Sequence, residues 1–281
     1  VSSGNAAASL AAHGARAGLE TIVFVDEETP LSKLAQIMIY GAKIIMVKSS
    51  YSVAEKLFVI AREKFGWYDC NSEFNPFRFE GNKTCAYEIC EQVNWKSLDW
   101  IISPIGSGSG LASTWKGFKE LNKISWIDQL PQLAGIQAEA CAPVVDAYKK
   151  RRKKIKPVVP RFTSATAIKI SDPAQGNSAL TAIYESKGVA DAVTEKEILE
   201  AVKLLAKEGI FLEPAGAASV AGAIKLVKEK KIDRNEKVIC VLTGHGLKTP
   251  EIAIKMVEKP IKIPPKIEEI EKRLMTNFNR K

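Results

Sequence analysis

Short β-branched runs alternate with helix-periodic segments along almost the whole 281-residue chain, and this rhythm limits the fold more than any other feature. Residues 21–25, 43–47, 67–70, 100–103, 132–137, 188–193 and 238–242 read as strands. Residues 6–17, 31–40, 53–64, 84–93, 111–121, 194–207 and 214–229 read as helices. Strands alternating with helices predict a mostly parallel sheet with helices on both faces, an α/β architecture. No internal repeat is present. The turn-rich residues 71–81 mark the best break, which predicts a smaller α/β domain over 1–72 and a larger one over 73–281.

The chain opens on Val1-Ser2-Ser3-Gly4-Asn5, followed at once by the alanine-rich helix. Ser and Asn cap helices by accepting backbone N–H bonds, and Gly4 allows a sharp entry into the first turn. In an alternating βα chain a buried strand should precede such a cap, and only a valine stands there. The expectation is therefore a polypeptide that begins inside a structural unit, truncated at its N-terminus.

Composition narrows the function classes. With 46% hydrophobic and 26% charged residues, the balance is that of an ordinary globular protein. No apolar run approaches the roughly 20 residues a membrane span needs, and no basic segment precedes the alanines as in a signal peptide. The five cysteines form no CxxC pair and no metal-ligand spacing with the two histidines. They predict reduced thiols in a cytoplasmic protein, with no metal site. Much of the net charge of +9 comes from Lys149-Lys150-Arg151-Arg152-Lys153-Lys154, followed by Ile155-Lys156-Pro157. A charge block before a proline reads as a solvated loop. No aromatic residue interleaves with it to stack bases, so a nucleic-acid partner is not expected.

The most informative loop is Pro104-Ile105-Gly106-Ser107-Gly108-Ser109-Gly110, between a strand and a helix. Glycines at alternate positions let backbone N–H groups converge, and the following helix adds its positive dipole end; together they make a phosphate cradle. Ser113 stands where G-x-G-x-x-G needs its third glycine, and the Walker lysine is absent, so NAD and ATP readings lose ground. A second loop, Thr243-Gly244-His245-Gly246-Leu247-Lys248, follows an apolar strand. A hydroxyl there points into the crevice where α/β sheets bind ligands, and Thr243 can hydrogen-bond a ring nitrogen. His245 reads as a loop residue rather than a base. Residues 106–110 also lack the nucleophile of G-x-S-x-G, which removes a Ser-His-Asp hydrolase. Glu213-Pro214-Ala215-Gly216 opens a helix with proline at N1 and reads, on its own, as close packing.

These motifs, with Asn75-Pro76-Phe77-Arg78-Phe79-Glu80-Gly81-Asn82-Lys83-Thr84, Trp115-Lys116-Gly117 and Ile136-Gln137-Ala138, resemble the threonine synthase family. That family belongs to the fold-type II, tryptophan-synthase-β-like pyridoxal-phosphate enzymes. The Thr-Gly-His-Gly-Leu-Lys and Asn-Pro-x-Arg-x-Glu-Gly blocks carry most of the specificity, and the resemblance runs over nearly the whole chain. It implies a lyase of amino-acid biosynthesis acting on O-phospho-L-homoserine, a small amino-acid substrate, with pyridoxal 5'-phosphate as cofactor. A homodimer is implied for the full-length protein.

The resemblance also implies roles. Asn5 would contact the cofactor's phenolic oxygen, the loop Gly106, Ser107, Gly108, Ser109, Gly110 its phosphate, and Thr243 its pyridine nitrogen. Ser2 and Ser3, with the backbone N–H groups near them, would hold the substrate carboxylate. Arg78 would hold the substrate phosphate, a task its forked guanidinium suits; the competing reading is a surface arginine paired with Glu80 or Glu73. Three departures stand out. The family's Phe-Lys-Asp segment lies upstream of Ser-x-Gly-Asn, so the Schiff-base lysine is not in this chain and no catalytic residue is assigned. Ser3 and Ala6 replace threonines, and Thr249 replaces an aspartate. Two alternatives stay open: a related lyase or synthase, such as threonine dehydratase or cysteate synthase, and a non-enzymatic basic module built on residues 149–156.

Overall fold

Parallel strands need helical crossovers, and the strand runs pair accordingly. The computed structural model describes residues 1–2, 4–27, 29, 31–49, 51–71 and 75–271, without the side chains of 32, 33, 51 and 52. Ser3, Glu73 and the expected boundary between 72 and 73 lie outside the described residues. Val1–Lys248 forms one compact unit and Thr249–Lys281 another.

Within the first unit, α1 (Asn5–Arg16) leads into β1 (Ile22–Asp26), α2 (Leu31–Ile39), β2 (Lys43–Val47) and α3 (Tyr51–Phe65). β1 and β2 pair in parallel, Ile22 opposite Lys43. The alanines of α1 allow close approach, and Ala7, Ala8 and Ala11 share a core with Val23, Val25, Leu34 and Ile37. Two helices follow, α4 (Pro76–Asn82) and α5 (Thr84–Gln92).

Then come β3 (Trp100–Pro104), α6 (Ser109–Lys123), β4 (Gln132–Ala138), α7 (Pro143–Lys149), α8 (Gly176–Glu185) and β5 (Val189–Val193). The unit closes with α9 (Glu195–Lys207), α10 (Pro214–Lys228) and β6 (Val238–Cys240). The second sheet is entirely parallel, in the order β5-β4-β3-β6. Helices cover both its faces, as strand alternation requires. A Cβ on Gly135 would meet Leu111 of α6 and Ile183 of α8, while the adjacent Ile136 packs against Gly222 of α10. The buried Gln137 Oε1 accepts the N–H groups of Val144 and Val145 at 2.9 and 3.2 Å, which starts α7. In the second unit, α11 (Pro250–Met256) is the longest helix among the described residues.

Four segments depart from the sequence reading. Residues 67–70 form no strand; Trp67 instead stacks on Phe65, centroids 4.9 Å apart. Residues 76–82 are helical rather than turn. Asn75 Oδ1 accepts the Phe77 N–H at 2.9 Å and Pro76 takes N1, so Asn-Pro here starts a helix. α7 and α8 are not legible in the sequence, because small residues and a charge run obscure their periodicity.

Candidate active site

The strand order places a crevice before any side chain is considered. From β3 the chain steps outward through β4 to β5, then returns to the other side of β3 as β6. The order therefore reverses between β3 and β6, and the loops after their C-terminal ends flank a topological switch point, where open α/β sheets bind ligands. Those loops are the two glycine loops.

Ser2, Asn5, Arg78, Gly106, Ser107, Gly108, Gly110 and Thr243 line one cleft of about 1410 Å³. Ser109 is buried, its Oγ 3.0 Å from Ser107 Oγ. Ser3 lies outside the described residues. Gly108 takes φ +92° and presses on the backbone of Gln175, whose N–H donates to Ser107 O at 3.0 Å. This contact holds the loop against the N-terminus of α8. A Cβ on Gly110, in contrast, would point into open space. The first bond of α6 runs from the Ala112 N–H to Gly108 O, so the N–H groups ahead of it have no intrahelical acceptor.

Asn5 does not cap α1, contrary to the sequence reading. Gly4 is the N-cap and makes no side-chain bond, which leaves Asn5 as the first helical residue with its amide free for other partners. Asn5 Nδ2 donates to Glu213 Oε1 at 3.3 Å, and Lys248 Nζ donates to Asn5 Oδ1. Ser2 Oγ accepts the Gly4 N–H at 3.2 Å. The second glycine loop is pinned to the segment before α10. The Glu213 N–H donates to Gly244 O at 3.0 Å and the Gly246 N–H to Phe211 O at 3.1 Å. His245 belongs to this scaffold: its Nδ1 accepts the Leu247 N–H at 3.1 Å, and its ring meets Phe211 edge-on.

Arg78 reaches the cleft from α4. Glu80, one possible surface partner, instead binds Lys83 at 2.6 Å and Lys116 at 3.0 Å. Among the described residues no carboxylate pairs with Arg78. Burial lowers its pKa from the ordinary value, countered only by the neighbouring Cys70. Lys83 and Lys116 also bind Glu120, which with the Tyr87 hydroxyl holds that carboxyl down at about 2. This network ties α4 and α5 to α6, and so ties Arg78 to the helix that carries the glycine loop.

Sequence reasoning passes over Glu213 and Lys248 as members of the site. Glu213 is buried and sits at the N-cap of α10 without making a cap bond. A glutamate at a position that favours Ser, Thr, Asp or Asn is the available signal.

The family model "Pyridoxal-phosphate dependent enzyme" matches residues 1–244. The chain is 51% identical over 265 residues to the threonine synthase of Methanocaldococcus jannaschii, covering 93% of this chain and 65% of that protein. It is 41% identical to the threonine synthase of Methanosarcina acetivorans, covering 96% of this chain and 67% of that one. Maize serine racemase shares the fold, with a TM-score of 0.77 at 20% identity over 91% of this chain and 74% of its own. The chain belongs to the pyridoxal-phosphate dependent enzymes and, within them, to the threonine synthase family. It spans about two thirds of the length of these curated relatives.

The residues present fit pyridoxal phosphate. Open space over Gly110 at a helix N-terminus suits a phosphate, and the Ser107 hydroxyl lines the same cleft. Asn5 and Thr243 line this cleft too, so an amide and a hydroxyl are available beside the loop.

Proposed function

We propose that this chain forms the cofactor- and substrate-binding body of a threonine synthase, which converts O-phospho-L-homoserine and water to L-threonine and phosphate. One observation carries the choice of substrate. Arg78 is a partly buried guanidinium in the cofactor cleft with no carboxylate partner among the described residues. Burying a cation without a counter-ion is costly, so the side chain suits an anion that arrives with the substrate.

The other assignments follow the cleft. The N–H groups of residues 106–110 and the start of α6 hold the cofactor phosphate, and Asn5 donates to the phenolic oxygen. The Thr243 hydroxyl meets the ring nitrogen; being neutral, it leaves that nitrogen unprotonated more of the time than an aspartate would. Ser2 and the N–H groups opening α1 hold the substrate carboxylate. When bound, the cofactor supplies an electron sink for carbanionic steps. No lysine in residues 1–281 occupies the family's lysine motif, so we place the covalent anchor and proton shuttle outside them. A cytoplasmic homodimer completes the proposal; the five free cysteines support a reducing setting. Among the described residues, no helix is long and apolar enough to cross a membrane.

A dehydratase needs only a hydroxyl recognised where Arg78 stands. The basic-module reading loses support because part of the run is engaged internally. Lys149 binds Asp191 at 3.1 Å, Arg152 binds Asp146 at 3.0 Å, and Lys150 also binds Asp146. The deciding experiment compares phosphate release from O-phospho-L-homoserine with deamination of L-threonine and L-serine by the full-length protein. Preference for the phosphorylated substrate is expected. Efficient deamination without phosphate release would assign a dehydratase.

A further inference from the structure

The amide of Asn5 has two ends of nearly equal shape and opposite chemistry, so something must decide which end the ligand meets. Its neighbours do. A carboxylate only accepts hydrogen bonds and an ammonium only donates them. Glu213 Oε1 lies 3.3 Å from Asn5 Nδ2, and Lys248 Nζ contacts Asn5 Oδ1. Turning the amide over would set its oxygen against a carboxylate and its N–H groups against an ammonium. Both contacts would become repulsive at once.

We propose that Glu213 and Lys248 act as positioning residues that fix the Asn5 amide, so that its remaining N–H faces the cofactor's phenolic oxygen. The inference rests on the proposed placement of that oxygen at Asn5. Nδ2 carries two N–H groups; one is held by Glu213, and the other has no partner among the described residues.

The backbone is built to bring Glu213 there. The carboxylate makes no cap bond to α10, although it occupies the N-cap. It lies where a side chain on Gly244 would be, since a Cβ there would fall 2.1 Å from Glu213 Oε1. The Glu213 N–H to Gly244 O bond and the bridge between Leu212 and His245 hold the two segments together. Three motifs distant in sequence thus meet at one amide, and Gly244 is explained by the room Glu213 requires.

The test uses two ligands without an aldehyde, so that lysine adducts do not interfere: pyridoxine 5'-phosphate and its 3-deoxy analogue, which lacks the phenolic oxygen. Calorimetric titration of the 281-residue chain should show the first bound about tenfold more tightly, the worth of one good hydrogen bond. Asn5→Ala should erase that preference. Glu213→Gln and Lys248→Met should each cut it to roughly threefold or less, with affinity for the 3-deoxy analogue held within about twofold. Parallel loss of both ligands would show that Glu213 only shapes the pocket and would overturn the proposal, as would an unchanged preference. If Asn5→Ala erases the preference and neither partner variant does, the cofactor placement stands and the positioning role fails. If the unaltered chain shows no preference, the placement itself is wrong and the proposal goes with it. Lys248 is only partly buried, so Lys248→Met carries the test should Glu213→Gln fail to fold.

Discussion

A Cβ built on Gly108 would lie 2.4 Å from the carbonyl oxygen of Gln175. This contact and the positive φ of Gly108 leave no room for a side chain at that position. Gly108→Ala should therefore destabilise the protein by about 1–3 kcal/mol, from overpacking and the left-handed backbone. Gly110→Asp has open space for its side chain and should leave the unfolding midpoint nearly unchanged. Its carboxylate would face the bound phosphate, so cofactor affinity should fall sharply. Thermal melts and absorbance after dialysis separate the two effects. Equal cofactor retention in Gly110→Asp and the unaltered protein would remove the phosphate from this loop.

Arg78→Ala in the active full-length protein should lower kcat/KM for O-phospho-L-homoserine roughly ten- to a hundred-fold, or about 1.5–3 kcal/mol. Slow deamination of threonine or serine should change far less, since neither substrate carries a phosphate. Arg78→Lys should recover only part of the loss, because an ammonium cannot make the paired bonds of a guanidinium. A silent Arg78→Ala in an enzyme that still prefers the phosphorylated substrate would reassign the phosphate site.

Asp191 is buried under Lys149, Lys225 and Lys231, at 3.1, 3.2 and 3.0 Å. Burial alone would push its pKa up. The bonds from Lys231, the Ala192 N–H, Lys149 and Lys225 outweigh it, and the carboxyl ends well below its ordinary value. A depressed carboxylate contributes stability that is complete above its unfolded pKa of about 4 and drains away as pH falls toward the folded value. Asp191→Asn should thus cost about 3 kcal/mol in urea at neutral pH, with three lysines left around a neutral side chain. It should also flatten the loss of stability below about pH 5. An unchanged acid limb would show that other carboxylates set it.

Mixing the 281-residue chain with pyridoxal phosphate and reducing with borohydride should give no stoichiometric adduct at a single lysine. Lys248 is the nearest test of this expectation, since its Nζ is engaged with Asn5 Oδ1 inside the site. Peptide mapping that found Lys248 fully modified would assign it the anchoring role instead.

The sequence by itself determined the alternation of strands and helices, both glycine loops and the family, because these depend on local period and on residues adjacent in the chain. Asn75-Pro76 reads as a turn in the sequence, although the same two residues start α4; whether such a pair turns or nucleates a helix depends on the residues after it and on the surface it packs against. Only the tertiary structure decided that β6 returns beside β3, since strand order is set by pairing across long separations. It likewise decided that Glu80 is taken by Lys83 and Lys116, leaving Arg78 to the cleft. Glu213 reads as packing in its own segment. Its meeting with Asn5, 208 positions away, exists only when the loop before α10 and the start of α1 share one crevice. Local chemistry fixes which groups are available, and long-range packing selects which of them face each other.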